Sequence, residues 1–331
     1  MDKEKLVRIV DRFPGLRIVV WGDFILDEHL YGTTRRISRE APVLILSYRR
    51  QEYSLGGAGN SLQNLKSLGA FPIPVGVIGR DEAGKRILSI LRSKEIATEW
   101  IYQEKRYRTP LKTRILAGED NTRKQQILRI DRDGCVPDDA ALKRWLRRAL
   151  GLLTKDCPAL LISDYNYDTV KEDIYAKVLC DTKKNKVPIT VDSRFRLLSF
   201  KGAWVATPNE PEVEGALGID IAGKDEPLLK AANQILKILG SPALLVTRGS
   251  RGMTLFEKGK TPCAIPVHGT TDIVDVTGAG DTVISVFTLA LAAGASFREA
   301  AELANRAGGI VVMKKGAATL SPEELKQAIL S

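Results

Sequence analysis

The decapeptide Ile273 to Thr282, IVDVTGAGDT, runs into the apolar stretch VISVFTLALAAG and sets Gly278, Ala279 and Gly280 where a helix begins. Backbone N–H groups there can point at an anion unobstructed, and the helix dipole adds positive potential. A phosphate fits such a turn. Asp281 follows at once, and a carboxylate beside a phosphate cradle is repelled unless it has chemistry to do. Accepting the proton of a hydroxyl nucleophile is such chemistry. Taken alone, a GxGD is better read as a glycine loop with an N-terminal acid on its helix, so the rest of the chain has to decide.

Four other blocks carry polar residues at turns or helix starts. Leu55 to Leu65, LGGAGNSLQNL, places the pair Gly56 and Gly57 before a helix that bears Asn60. Gly22 and Asp23 end an apolar run, with Asp27 four residues on. Thr207 to Glu214, TPNEPEVE, would cap a helix, and its Asn209 and Glu212 also suit a magnesium ion that keeps most of its waters. Val246 to Met253, VTRGSRGM, reads as a turn after a buried strand. His29 and His268 are the only histidines and have no partner at nucleophile or metal spacing. No GxGxxG opens a helix after the first strand, which argues against a dinucleotide-binding dehydrogenase.

The elements that must position these residues show as short buried runs separated by helical stretches. Arg17 to Trp21, Ala159 to Ser163, Pro188 to Asp192, Ala203 to Ala206 and Ala243 to Thr247 read as parallel strands. Helices are expected over Ser61 to Leu68, Glu82 to Ser93, Asp138 to Leu153, Val170 to Lys184, Pro227 to Leu239, Thr282 to Ala293 and Ser296 to Met313. The alternation predicts a doubly wound α/β sheet. Ile37 to Tyr53 and Thr109 to Asp131 break the rhythm with β-prone alternation. They predict a small β-lid, formed by insertions near 35–54 and 109–131, over the carboxyl end of the main sheet of a single domain spanning 1–331.

Composition narrows the classes. Hydrophobic residues at 44% and charged residues at 27% are globular values. No run approaches a membrane span, and MDKEKLVRIVDRFPG lacks the apolar core of a signal peptide, so a cytoplasmic protein is expected. Cys135, Cys157, Cys180 and Cys263 are scattered, without a zinc or disulfide pattern. The net charge of +10 suits an anionic partner, but no nucleic-acid motif accompanies it.

In series, these blocks resemble the signatures of the PfkB or ribokinase-like carbohydrate kinases, over nearly the whole chain. The resemblance implies a ribokinase-like three-layer α/β/α fold and an ATP-dependent kinase with Asp281 as catalytic base. It implies sugar contacts from Asp27, Gly56, Gly57 and Asn60, with Asp23 a second candidate for Asp27's role. Asn209 and Glu212 match the NxxE element that serves Mg²⁺. Thr247, Gly249 and Gly252 match the nucleotide loop, and Asn305 the helix beside the adenine. Asp275 with the Gly316 to Thr319 turn matches the place of a monovalent cation such as K⁺.

Local blocks resemble the kinase half of the bifunctional enzymes that make ADP-heptose. These are Gly22 to Leu46, Leu111 to Ala117, Ile162 to Val170 and the run from Val274 onward. That likeness implies phosphorylation of D-glycero-D-manno-heptose 7-phosphate at its anomeric hydroxyl, with adenylylation supplied from elsewhere. Such kinases usually read SDYAKG and DPKG, where this chain has Ser163-Asp164-Tyr165-Asn166-Tyr167 and Asp192-Ser193-Arg194. Arg36, Lys112 and Arg194 are candidates for gripping a phosphate already on the sugar. A PfkB-type kinase for another sugar is the first alternative, and a non-catalytic nucleotide-binding sensor the second. The open edge strands of a lid would allow a homodimer.

Overall fold

The computed structural model describes residues 2–118, 124–269 and 274–331. Its centre is the strand Arg17–Gly22, which is buried from Ile18 onward. Alternate side chains of a strand face opposite ways, and here both faces are covered. Ile18 and Val20 enter one core with the helices Ala58–Ser67, Ala279–Ala292 and Phe297–Val311, while Val19 and Trp21 enter a second with Ala140–Leu153, Glu172–Asn185 and Asp225–Leu239. A continuous apolar run is what a strand buried on both faces requires. The result is a three-layer α/β/α fold, as expected.

Among the described residues, nine strands form this sheet. In spatial order they are Cys263–Ile265, Met253–Glu257, Ala243–Thr247, Val205–Ala206, Ile189–Ser193, Ala159–Asp164, Arg17–Gly22, Phe71–Gly79 and Ile101–Glu104. The first two pair antiparallel to their neighbours and the rest run parallel. Later strands spread from Arg17–Gly22 in one direction through Ala159–Asp164, and earlier ones in the other through Phe71–Gly79. Chain order therefore reverses between Arg17–Gly22 and Ala159–Asp164, where a crevice opens at the carboxyl ends of such a sheet.

A second sheet carries Leu44–Gly57, Phe24–Ile37, Leu111–Gly118 and Gln125–Arg132, in that order. It takes up most of both β-rich stretches read from the sequence, with Ser38 to Val43 forming the turn between two of its strands and Glu119 to Arg123 outside the described residues. It also begins earlier than expected. Phe24 opens it two residues after the first strand ends, so Asp27 lies on a strand of this sheet and not in a loop. At the other end, Leu44–Gly57 passes directly into the helix Ala58–Ser67, three residues ahead of the expected Ser61. The φ of +57° at Gly57 makes this abrupt turn, and that left-handed backbone favours glycine.

Candidate active site

The helix Ala279–Ala292 starts from Gly278, whose φ is +77°. A side chain there would collide with the Asn60 amide, since an added Cβ would lie 2.3 Å from Nδ2. Ala279 N–H bonds to Val276 O at 3.2 Å, and Thr282 N–H makes the first helical bond to Gly278 O at 3.1 Å. The first-turn amides of Gly280 and Asp281 lie ahead of that bond, and that of Ala279 is engaged with Val276 O. Ile273, the first residue of the motif, lies outside the described residues.

Asp281 is buried and held by both oxygens. Asn60 Nδ2 donates to Oδ2 at 2.8 Å, and the Tyr165 hydroxyl donates to Oδ1 at 3.3 Å. Burial drives its pKa up to about 7, against the pull of these two bonds; Asp27 adds to the rise and Lys112 opposes it. A carboxylate poised near neutrality suits a general base.

Asp281 lies where two cavities meet. One, of about 490 Å³, is lined by Asp192, Arg194, Thr207, Asn209, Glu212, Thr247, Gly278 and Gly280. It continues past Thr247 and Gly280 into an apolar recess of about 180 Å³, bounded by Met253, Val267, Val276, Val283, Gly308 and Val312. Gly249, Gly252 and Asn305 line the recess too, and Asn305 Nδ2 also donates to Pro266 O at 2.8 Å. A flat apolar base and a polyphosphate match this pair of spaces in polarity.

The other cavity, of about 230 Å³, contains Asp27, Gly56, Gly57, Asn60, Lys112, Arg114, Arg129, Tyr165 and Arg194. Arg114 pairs with Asp27, and an added Cβ on Gly56 would lie 2.6 Å from Asp27 Oδ2. A neighbouring hollow shares Lys112, Arg129 and Arg194. Burial lowers the Lys112 pKa, Arg129 and Arg194 push the same way, and Asp27 resists. Arg129 was missed in the sequence because nothing in QQILRIDR separates it from other surface arginines. Arg36, by contrast, is exposed on Phe24–Ile37 and lines none of these spaces. Asp23 is fully buried behind the site and caps backbone amides of residues 165–169, which corrects its candidacy as a sugar ligand.

The donor set for a cation can be tested on these residues. Asn209 and Glu212 form a complete capping box: Asn209 Oδ1 accepts from Glu212 N–H at 2.8 Å and Glu212 Oε2 from Asn209 N–H at 2.9 Å. One oxygen of each is thus engaged. Burial raises the pKa of Glu212, and burial followed by repulsion from Glu212, Asp281 and Asp164 raises that of Asp192, against Arg194. Negative groups with so little compensation fit a hydrated divalent ion. Direct caging does not fit, since no three His, Cys, Asp or Glu side chains among the described residues converge on one point. Asp275 accepts from Thr277 N–H at 2.9 Å and from Gly316 N–H at 3.0 Å, which joins its segment to the Gly316 turn.

A buried carboxylate beside a glycine-capped helix start, where two cavities meet at a sheet's switch point, is an arrangement suited to phosphoryl transfer between small molecules. Residues 16–324 match the pfkB family carbohydrate kinases. The chain belongs to that family and is a carbohydrate kinase with an alcohol acceptor and ATP as co-substrate. It is 36% identical over 330 residues to the "Bifunctional protein HldE" of Pelobacter propionicus, covering 99% of this chain and 66% of that protein. The same-named protein of Geobacter sulfurreducens is 36% identical over 329 residues, with 98% and 65% covered. The chain thus spans about 66% of the length of these curated relatives. Among solved structures, Arabidopsis thaliana ribokinase complexed with ribose and ATP superposes with a TM-score of 0.74 at 20% identity, covering 96% and 99% of the two chains. Escherichia coli phosphofructokinase-2 in complex with fructose-6-phosphate gives 0.74 at 17%, covering 96% and 98%. These two likenesses speak to the fold. No described helix is long and apolar enough to cross a membrane.

Proposed function

We propose that this kinase phosphorylates a sugar that already carries a phosphate, with D-glycero-D-manno-heptose 7-phosphate, attacked through its anomeric hydroxyl, as the acceptor. The observation that carries the reading is the convergence of Lys112, Arg129 and Arg194 on the cavity that holds Asp27, Asn60 and Asp281. Among the described residues, Arg129 pairs with the neighbouring carboxylate of Asp131, and neither Lys112 nor Arg194 lies within ion-pair distance of a carboxylate. An anionic group on the acceptor would offset them. The HldE relatives favour a heptose among the phosphorylated sugars.

In the proposed reaction Asp281 takes the acceptor's hydroxyl proton as that oxygen attacks the γ-phosphorus. The new O–P bond forms as the bond to the β-phosphate oxygen breaks, and ADP leaves. The amides at the start of Ala279–Ala292 stabilise charge on the moving group. Mg²⁺, when bound with the nucleotide, would neutralise phosphate charge, and Asn209 and Glu212 would hold its waters. Asp275 with the Gly316 turn would serve K⁺. The adenine would occupy the apolar recess beside Asn305, and the loop of Thr247, Gly249 and Gly252 would follow the phosphates. We read the four-stranded sheet as a lid on a single kinase domain.

ADP release measured with heptose 7-phosphate, fructose 6-phosphate and free ribose, fructose and adenosine tests this. A strong preference for a phosphorylated acceptor is expected. Equal efficiency on free and phosphorylated sugars would overturn the phosphate reading.

A further inference from the structure

The segment after the strand Ala159–Asp164 bends in an unusual way. Asn166 and Asp168 have φ of +65° and +69°, a left-handed backbone that few residues other than glycine adopt and that Asn and Asp tolerate best. Alternate amides are thereby turned inward. Tyr165 and Tyr167 N–H groups donate to Asp23 Oδ2 at 2.8 and 3.2 Å, and Thr169 N–H to Oδ1 at 3.2 Å. Such a ring of amides ordinarily receives a free anion. Here a fully buried side-chain carboxylate fills it.

The loop is fixed from its other side as well. Arg196 pairs with buried Asp164 and donates to Val170 O at 2.9 Å. Two left-handed residues and three buried or half-buried charges, Asp23, Asp164 and Arg196, make a costly arrangement for a surface turn. What the loop presents to the site is Tyr165. Its ring packs beside Gly57, where an added Cβ would lie 3.3 Å from Cδ2, and its hydroxyl reaches Asp281 Oδ1. Tyr165 also lines both cavities that meet at Asp281.

We propose that Asp23 is a positioning residue for phosphoryl transfer: its carboxylate templates the 165–169 loop so that the Tyr165 hydroxyl fixes one oxygen of Asp281. This rests on the reading of Asp281 as base. With Asn60 on Oδ2 and Tyr165 on Oδ1, the carboxylate cannot rotate, and its remaining lone pairs stay aimed at the acceptor. Both bonds also favour the ionised form. Among the described residues, the groups that face Asp281 are Asn60 and Tyr165, the charged Asp27 and Lys112, Arg194 in both cavities, Arg114 and Arg129 in the smaller one, and Asp192 and Glu212 across the larger. Losing the Tyr165 hydroxyl should therefore raise the pH at which Asp281 ionises.

The test uses the whole chain without ligand and then with MgATP and heptose 7-phosphate. Carboxyl ¹³C NMR follows Asp281, assigned by comparison with Asp281→Asn. Tyr165→Phe should move the Asp281 midpoint up by about 0.5–1 pH unit and lower kcat about 10-fold with KM for ATP unchanged. Asp23→Asn should produce the same two changes, and the double variant should add little to either. A loop staple without a positioning role would lower the melting temperature and leave the Asp281 midpoint at the parent's value, which overturns the proposal. Should Asp23→Asn not fold, the parent decides: the Tyr165, Tyr167 and Thr169 amide protons should shift together near pH 6, the value to which burial and then Asp164 raise Asp23. Separate midpoints for the three amides would overturn it too. Normal turnover in Asp281→Asn would instead sink the base assignment.

Discussion

The Asn60 side-chain amide donates to Oδ2 of Asp281 at 2.8 Å and to Gly278 O at 3.4 Å, so one residue ties the helix Ala58–Ser67 to the glycine turn and to the Asp281 carboxylate together. Asn60 is buried, and its neighbour Asn64 braces it by donating to its carbonyl at 3.0 Å. The glycine turn of one half of the chain is thus registered against the other before any ligand binds.

From this follows the behaviour of the base. Asp281→Asn keeps the size but cannot accept the proton, so kcat should fall about 10²–10⁴-fold with nucleotide affinity nearly unchanged. In the parent, activity should decline as pH drops through about 7, because the protonated carboxyl cannot act. Stability should show the opposite sign. The folded value lies above the ordinary 3.8, so the folded state binds the proton more tightly and stability falls as pH rises from about 4 to about 7. Removing the buried charge should then stabilise the variant above pH 7, by up to about 4 kcal/mol, and leave this contribution unchanged below pH 4. Thermal melts at pH 4 and pH 8 read the difference.

Gly278→Ala should damage the site without unfolding the protein. The new methyl would meet Asn60 Nδ2, and the left-handed backbone adds roughly 1 kcal/mol of strain. We expect kcat to fall at least 10-fold with a melting temperature lowered by only a few degrees. A variant with parental kcat would show that the Asn60 contact is slack.

How much was legible in the sequence depended on whether a residue's role was local. The strand Arg17–Gly22 and the capping box at Asn209 depend on near neighbours, and both could be read directly. Phe71–Gly79 was overlooked because Pro72 and Pro74 argue against a strand inside a sheet. The structure explains how they fit. Gly76 N–H donates to Trp100 O, so residues 72, 74 and 76 turn their N sides toward Ile101–Glu104, which pairs only from Gly76 onward. The two missing donors face the stretch that this neighbour does not reach. Tyr165, Asp192 and Arg129 gave no local signal, since their meaning comes from segments distant in sequence that meet at the crevice.

The capping box at Asn209 and Glu212 makes a magnesium test informative only with the right substitution. Glu212→Gln retains an oxygen to accept from Asn209 N–H but removes the charge, whereas Asn209→Ala also loses a helix cap worth about 1 kcal/mol. Glu212→Gln should raise the Mg²⁺ concentration for half-maximal rate and leave the melting temperature near the parent's. Overlapping magnesium curves would reduce the motif to a helix start.

Self-association should run through the second sheet. Every residue of its edge strand Gln125–Arg132 is exposed, including Ile127, Leu128 and Ile130. An uncovered apolar edge of this kind favours pairing with a second copy. Light scattering after size exclusion should give a dimer for the parent and more monomer for Ile130→Lys. A monomeric parent at micromolar concentration would refute the pairing.

The phosphate proposed for the acceptor gives the last prediction. Lys112, Arg129 and Arg194 reach one cavity from two strands and a loop, while Arg36 stands exposed elsewhere, so the four basic candidates should separate in kinetics. Charge-assisted contacts to phosphate are each worth about 1.5–3 kcal/mol, or roughly 10- to 100-fold in affinity. Arg129→Gln and Arg194→Gln should therefore raise KM for heptose 7-phosphate by about that factor and leave KM for ATP unchanged. Arg194 also borders the cavity on the Asp192 side, so its loss should lower kcat as well by removing the cation that offsets Asp192. Lys112→Met should show the largest effect on kcat, since Lys112 is buried and its charge lowers the Asp281 pKa. Arg36→Gln should match the parent in every constant. Four variants with the same modest loss would mean that the charge acts only as a diffuse field, and salt would then erase the differences.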